Sequence, residues 1–231
     1  DAVKRSALAI EAFHKASLIH DDIEDDDNFR YGSETMHRQQ GVPVAINVGD
    51  YLVGLGYRLA AKDRAELGSD VSADILFKLS DAHVKLSEGQ GAELLWRNAT
   101  DKNITPLEAL RIYALKTSPA FEAALYAGVR LAGPAETYEK MIGEFAKNLG
   151  IAFQILNDLG DFDTNSENKV VAGQDVLAGR PTVLLAMALE TATPAQKEEI
   201  LGLLQRARKG DSSFQLVERI HQLYQLNEVF S

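Results

Sequence analysis

Cysteine is absent from the 231 residues. Disulfides, thiolate metal sites and thiol nucleophiles are therefore excluded. Aromatic residues are sparse, at 7% with a single tryptophan. Ala and Leu dominate instead, which favours helices over strands. Positive charge is also short. Lys and Arg number 24 against 34 Asp and Glu, for a formal net charge of -10. Such a chain is poorly suited to tracking nucleic acid or an anionic membrane. No uninterrupted apolar run reaches transmembrane length, and the opening residues do not read as a signal peptide. The expected compartment is the cytoplasm.

What is present is an ordinary globular composition, 45% hydrophobic and 25% charged, with length for one sizeable core. Apolar residues at helical spacing mark 2–22, 45–67, 72–97, 105–133, 136–162, 182–190 and 193–210, then a terminal amphipathic stretch. Thr105, Pro106 and Glu108 signal a helix start, and Gly133-Pro134 its end. Residues 28–43 and 163–181 read as polar loops, and no strand alternation or internal repeat is visible. The expectation is one all-α domain over 1–231, cut at both ends. Asp1 opens directly into helical pattern, and "LVERIHQLYQLNEVFS" stops inside an amphipathic one.

Chemistry concentrates at two helix ends. In "LIHDDIEDDDNFR", residues 18–30, six acids crowd into 21–27 behind an oily segment. Asp21 and Asp25 are spaced i, i+4, as are Asp22 and Asp26, so each pair shares a helix face. Stacked like charges destabilise a helix unless neutralised, and a divalent cation does that. Taken alone, such a run is more often a solvated helix end. "FQILNDLGDFDTN" repeats the device, with Asn157 and Asp161 at i, i+4 and Asp158 and Gln154 adjacent. If the two helices face each other, oxygen ligands converge on a cavity with apolar walls. Magnesium held by a few carboxylates completes its shell with water and substrate phosphates. The implied substrate has a phosphate head and a greasy tail. Arg30, Lys116, Lys169 and Arg180 could together bind a diphosphate through charge-assisted hydrogen bonds.

These residues resemble the trans-isoprenyl diphosphate synthases, the polyprenyl synthetases. "DDIED" at 21–25 matches the family's first aspartate-rich motif, followed by Arg30, Gly32, Thr35 and His37. "GDYL" at 49–52, "GQG…WR" at 89–97, "KT" at 116–117, "FQ" at 153–154, the second acidic motif at 157–161 and "GQD…GRPT" at 173–182 follow in family order. The resemblance implies an all-α, isoprenoid-synthase-type helical bundle around a central cavity, usually a homodimer. It implies three magnesium ions bound with the substrate diphosphate. Their expected ligands are Asp21, Asp22 and Asp25 on one side and Asn157, Asp158 and Asp161 on the other. An allylic diphosphate would ionise, and isopentenyl diphosphate would attack the cation to give a longer prenyl diphosphate. Arg30, Lys116, Gln154, Lys169 and Arg180 are the implied substrate-binding residues. Lys116, Thr117 and Gln154 are implied at the reacting centre.

Four features depart from the family pattern. Asn157 replaces the leading aspartate of the second motif, which costs the metal a formal charge. Tyr31 stands where a second arginine normally follows Arg30. The upstream Gly-Lys-Arg segment is absent from this sequence, which truncation before Asp1 would explain. Arg180 replaces the lysine of a Gly-Lys-x-Thr. The first three concern metal or isopentenyl diphosphate binding and keep two alternatives open. One is a class I terpene cyclase or diphosphate lyase, whose Asn-led metal motif Asn157, Asp161 and Asn165 match in spacing, though only Asn157 matches in type. The other is a non-catalytic subunit of a heteromeric prenyl synthase, against which the intact first motif argues. Down the face from Asp21 lie Ser17 and then Phe13, about 12 Å away at helical rise. With Ala16 and Ser17 small, Phe13 is the expected floor, for a product near farnesyl or geranylgeranyl length.

Overall fold

The computed structural model describes residues 2–62, 64–162 and 173–230. The chain begins with α1 (Ala2–Glu24) and continues into a small antiparallel hairpin, β1 (Phe29–Arg30) and β2 (Ser33–Glu34). After it come α2 (Met36–Gln40), α3 (Val42–Ala61), α4 (Arg64–Leu67) and α5 (Ser69–Asn98). The order then runs α6 (Pro106–Lys116), α7 (Ser118–Ala132), α8 (Glu139–Gly160), α9 (Gln174–Ala178), α10 (Val183–Thr191), α11 (Pro194–Arg208) and α12 (Phe214–Leu226). The fold is all-α, and the hairpin corrects the expectation of no strand. Arg30 pairs with Ser33, and the two residues between them, Tyr31 and Gly32, have φ of 51° and 76°. Positive φ at both positions is what a tight type I′ hairpin turn requires. Gly32 suits that conformation; Tyr31 adopts it at a cost.

The chain divides into two compact units. The first comprises Asp1–Val84 with Pro119–Lys147. Its organising pair is α1 and α3, packed through small residues. Ala9, Ala12 and Ala16 are buried on one helix, and Ala45, Gly49, Gly56 and Ala60 on the other. His20 lies over Gly49, where a Cβ would come within 2.2 Å of its Nε2, and the Phe13 ring lies over Gly56, where a Cβ would come within 2.8 Å of Cζ. One step of seven residues down α1 is thus seven up α3, an antiparallel register. Continued, it sets Ala9 opposite Ala60, and both lie in one buried cluster with Ile75, Leu79, Ala82, Ala123 and Ala127.

The second unit comprises Lys85–Ser118 with Asn148–Ser231. Val183, Leu184, Leu185, Ala186, Ala188 and Leu189 are buried, so α10 is apolar around most of its circumference. A helix of that kind must be enclosed. Residues of α6, α9, α11 and α12 join it in one core. Thr105 with Glu108, and Thr193 with Gln196, form capping boxes that start α6 and α11. Each supplies partners to backbone N–H groups that the first turn leaves unpaired.

One difference from the sequence reading bears on function. The expected helix over 105–133 is broken at Thr117, whose φ is -129° and ψ is -44°. Pro119 supplies the reason. It has no N–H to donate to Leu115, and its ring crowds the preceding turn.

Candidate active site

In the first unit, α1 delivers the acid run. Asp26 adopts φ 55°, the Asp27 N–H reaches the Asp22 carbonyl at 3.0 Å, and the Asp26 N–H reaches the Ile23 carbonyl at 3.3 Å. This pair of bonds around a left-handed residue is a Schellman stop. Asp25 still bonds back to the Asp21 carbonyl at 2.9 Å, so the i, i+4 relation of Asp21 and Asp25 survives to the helix end. The hairpin then turns Arg30 back onto the acids. Its Nε donates to Asp22 Oδ1 at 2.6 Å and its Nη2 to Asp21 Oδ2 at 3.2 Å, with Asp27 Oδ2 at 3.9 Å. Asp22 is buried, and burial pushes its carboxyl above the ordinary value despite the guanidinium beside it. Arg38 Nη2 meets Asp26 Oδ1 at 2.8 Å, and Thr35 donates to the Asp27 carbonyl at 2.7 Å. Asp25 is also buried, whereas Tyr31 is exposed.

In the second unit, the α6–α7 break presents Lys116 and Thr117. Lys116 Nζ donates to Glu93 Oε2 at 3.0 Å. Gln154 Nε2 donates to Thr117 Oγ1 at 2.5 Å. The hydroxyl proton of Thr117 is thereby left to point elsewhere. The last turn of α8 carries the second acidic motif, with Asp161 just past its end, and its members diverge. Asn157 is exposed. Asp158 is buried and accepts from the Tyr113 hydroxyl and, at 3.3 Å, from the Val183 N–H. That N–H also donates to Tyr113 Oη at 2.7 Å. Asp161 is buried; its Oδ2 accepts from the Asp175 N–H at 3.0 Å and its carbonyl from the Gly173 N–H at 2.8 Å. Arg180 Nη1 donates to Asp175 Oδ1 at 3.0 Å. Burial, and then the negative charge of Asp158, push the Tyr113 phenol far above its usual range, so it remains a donor.

Family and architecture agree with this chemistry. The model of the polyprenyl synthetase family matches residues 1–222. The chain belongs to that family. It is 32% identical over 200 residues to the geranylgeranyl diphosphate synthase of Sulfolobus acidocaldarius, covering 86% of this chain and 60% of that protein. Identity to the octaprenyl diphosphate synthase of Escherichia coli is 34% over 196 residues, 84% of this chain and 58% of the other. The polyprenyl synthase of Caulobacter crescentus, solved with calcium and isoprenyl diphosphate, superposes with a TM-score of 0.85 at 27% identity, covering 99% of this chain and 66% of that one. The chain spans about three fifths of the length of the curated relatives it matches.

Within this polyprenyl synthetase, the residues singled out by sequence fall into distinct groups. Asp21, Asp22 and Arg30 are brought together in the first unit. Lys116, Thr117 and Gln154 are brought together in the second. Lys169 lies outside the described residues. Asp158 and Asp161 are committed to hydrogen bonds inside their own unit. Among the described residues, no three His, Cys, Asp or Glu side chains are gathered closely enough to hold a metal by themselves. In the first motif, Arg30 takes the Asp22 carboxylate. Magnesium does not need three. One or two carboxylates, completed by waters and substrate phosphates, suffice. Asp21 and Asp25, hard oxygen donors one turn apart, fit that requirement. Sequence reasoning missed Glu93, Tyr113 and Asp175. Glu93 and Asp175 lie inside quoted family segments, and their charge was the available signal. Nothing in the sequence around Tyr113 points to Asp158, 45 residues away.

Proposed function

We propose that this polyprenyl synthetase is a magnesium-dependent trans-prenyltransferase. It condenses an allylic diphosphate with isopentenyl diphosphate to give a longer prenyl diphosphate of short to medium length. The observation that carries the reading is the α6–α7 break, where two successive residues are each held by a partner, the Lys116 ammonium by Glu93 and the Thr117 hydroxyl by the Gln154 amide. An ammonium is suited to a diphosphate leaving group. Oriented hydroxyl and amide dipoles are suited to an allylic cation. The named activities of the Sulfolobus and Escherichia relatives support the same reaction.

The residues then divide the work. Asp21 and Asp25 would hold magnesium, with Asn157 presented on the second motif. Three ions are expected with the substrate. Magnesium, when bound, offsets negative charge on the departing diphosphate. Arg30 both neutralises Asp22 and stands ready to bind phosphate oxygens. Lys116 and Arg180, with Lys169, bind the diphosphate. Thr117 and Gln154 steady positive charge at the allylic carbon. Isopentenyl diphosphate attacks that carbon, a C–C bond forms as the C–O bond is lost, and a proton leaves, to the released diphosphate. Phe13 closes the path of the growing tail. The same reading treats the chain as one isoprenoid-synthase-like domain of a cytoplasmic homodimer.

A second reading has specific support in Asn157 and Tyr31. Asn157 leads the second motif as in the class I cyclase pattern, and Tyr31 removes an isopentenyl diphosphate contact; both point to ionisation without elongation. The test is incubation of the full-length protein with magnesium, allylic diphosphates of several lengths and isopentenyl diphosphate. Longer prenyl diphosphates are expected. Hydrocarbons or alcohols formed without isopentenyl diphosphate would instead establish a cyclase or lyase. Turnover only after a second chain is added would establish a subunit role.

A further inference from the structure

The α6–α7 break is gripped on two sides within the second unit, and both grips are built alike. Gly89 of α5 faces the backbone at Lys116. A Cβ there would stand 2.4 Å from the Lys116 nitrogen and 2.6 Å from the Leu115 carbonyl carbon. Four residues on, Glu93 takes the Lys116 ammonium at 3.0 Å. Gly150 of α8 faces Ser118, where a Cβ would stand 2.4 Å from Oγ and 2.8 Å from Cα. Four residues on, Gln154 takes the Thr117 hydroxyl at 2.5 Å. In each case a missing side chain lets two backbones touch. The side chain one turn later, on the same helix face, holds a functional group.

We propose that Glu93 is a positioning residue that, with Gly89, fixes the Lys116 ammonium for its diphosphate. It forms one jaw of a clamp whose other jaw is Gly150 on Ser118 and Gln154 on Thr117. The inference rests on the reading that Lys116 binds a diphosphate. A lysine side chain is long and rotamer-rich, so its ammonium needs an anchor to occupy one place. Glu93 is 5% exposed, and a carboxylate so buried requires a cation. Lys116 supplies it. The other oxygen, Oε1, is buried with no hydrogen-bond partner among the described residues. The ammonium therefore has a second seat on the same carboxylate. It can turn toward a phosphate oxygen without losing its counter-ion.

This arrangement has a signature that packing alone would not produce. Glu93→Gln keeps shape and removes charge. Losing a negative charge near the diphosphate favours binding, while losing the anchor disfavours reaction. The expected result is a fall in kcat of about ten-fold with KM for the allylic diphosphate unchanged or lower. Because the effect runs through the ammonium, Glu93→Gln should add little further loss in a Lys116→Met background. Glu93→Asp, which keeps the charge, should retain most of kcat and serves the same cycle if Glu93→Gln does not fold. An unchanged kcat, or a loss that persists in full without Lys116, overturns the inference. A parallel titration of the full-length protein with inorganic diphosphate and magnesium, read by calorimetry, does not depend on turnover. There Lys116→Met should weaken binding at least ten-fold and Glu93→Gln should not. Equal weakening by both overturns the clamp. Absence of any prenyl product from the unaltered protein would instead overturn the prenyltransferase reading, and leaves the calorimetric comparison standing.

Discussion

Gly150→Ala tests whether the break between α6 and α7 is held as tightly as its geometry implies. The added Cβ would meet Ser118 Oγ at 2.4 Å and Ser118 N and Cα at 2.8 Å, against an ordinary contact of at least 3.4 Å. The hydroxyl can rotate away; the backbone atoms cannot. Restoring ordinary contact therefore requires the two backbones to part by at least 3.4 − 2.8, or 0.6 Å. The Gln154–Thr117 hydrogen bond, now 2.5 Å, would lengthen with them. Forced insertion of one methyl into a packed contact costs about 1–3 kcal/mol of stability. A shift of about 1 Å in a reacting geometry costs up to about 100-fold in rate, so a shift of this size should lower kcat about ten-fold. The assay pairs urea unfolding with steady-state incorporation of labelled isopentenyl diphosphate. A variant with an unaltered urea midpoint and unaltered kcat would show that the close approach is absent. A lowered midpoint with full kcat would remove Thr117 and Gln154 from the reacting centre.

Other outcomes follow from the same structure. Phe13→Ala should shift the product distribution to longer chains, seen by chromatography of the dephosphorylated alcohols. It should also cost about 0.5–1.5 kcal/mol through loss of the edge-to-face contact with Tyr57, whose centroid lies 4.7 Å away; an unchanged distribution removes Phe13 as the floor. Asp21→Ala should lower kcat/KM by at least about 100-fold, since even outer-shell partners of a metal cost 10–100-fold. Activity that survives it removes Asp21 from the metal site. Tyr113→Phe should destabilise the protein by about 1–3 kcal/mol, because the buried Asp158 carboxylate loses a donor and keeps only the Val183 N–H of the two described here. Since the phenol stays protonated well beyond neutrality, that loss should be the same at pH 6 and pH 8 in chemical denaturation.

Much of this was legible before any coordinates. Helical periodicity located α1, α8, α10 and α11 because each buries one stripe or is enclosed outright, and Thr-Pro-x-Glu marked the start of α6 through the hydrogen bonds it makes. The break at Thr117 escaped that reading. Apolar periodicity continues in phase across 105–133, so the pattern does not register a local fault, although Pro119 could have signalled it. The hairpin escaped too, since Tyr31 is a poor candidate for positive φ and only Gly32 fits the turn. At the site, Arg30 was legible as a cation close in sequence to its acids. The inward turn of Asp158 and Asp161 was not. Spacing identifies which residues share a helix, whereas their partners here come from Tyr113, Gly173, Asp175 and Val183 on other elements.

The Schellman stop at Asp26 has a further consequence, through the direction in which α1 points. A helix accumulates partial negative charge at its C-terminus, and cations, not acids, are favoured there. The last turn of α1 contains no basic residue. Asp21, Asp22 and Asp25 therefore add to the field of the helix instead of cancelling it, and Arg30 offsets it in part. The end of α1 is thus held in an unfavourable electrostatic state, which magnesium bound there as proposed would relieve. Relief on binding is stabilisation by mass action. Free magnesium should then raise the melting temperature of this protein even with no substrate present, and its persistence would follow the supply of the proposed cofactor.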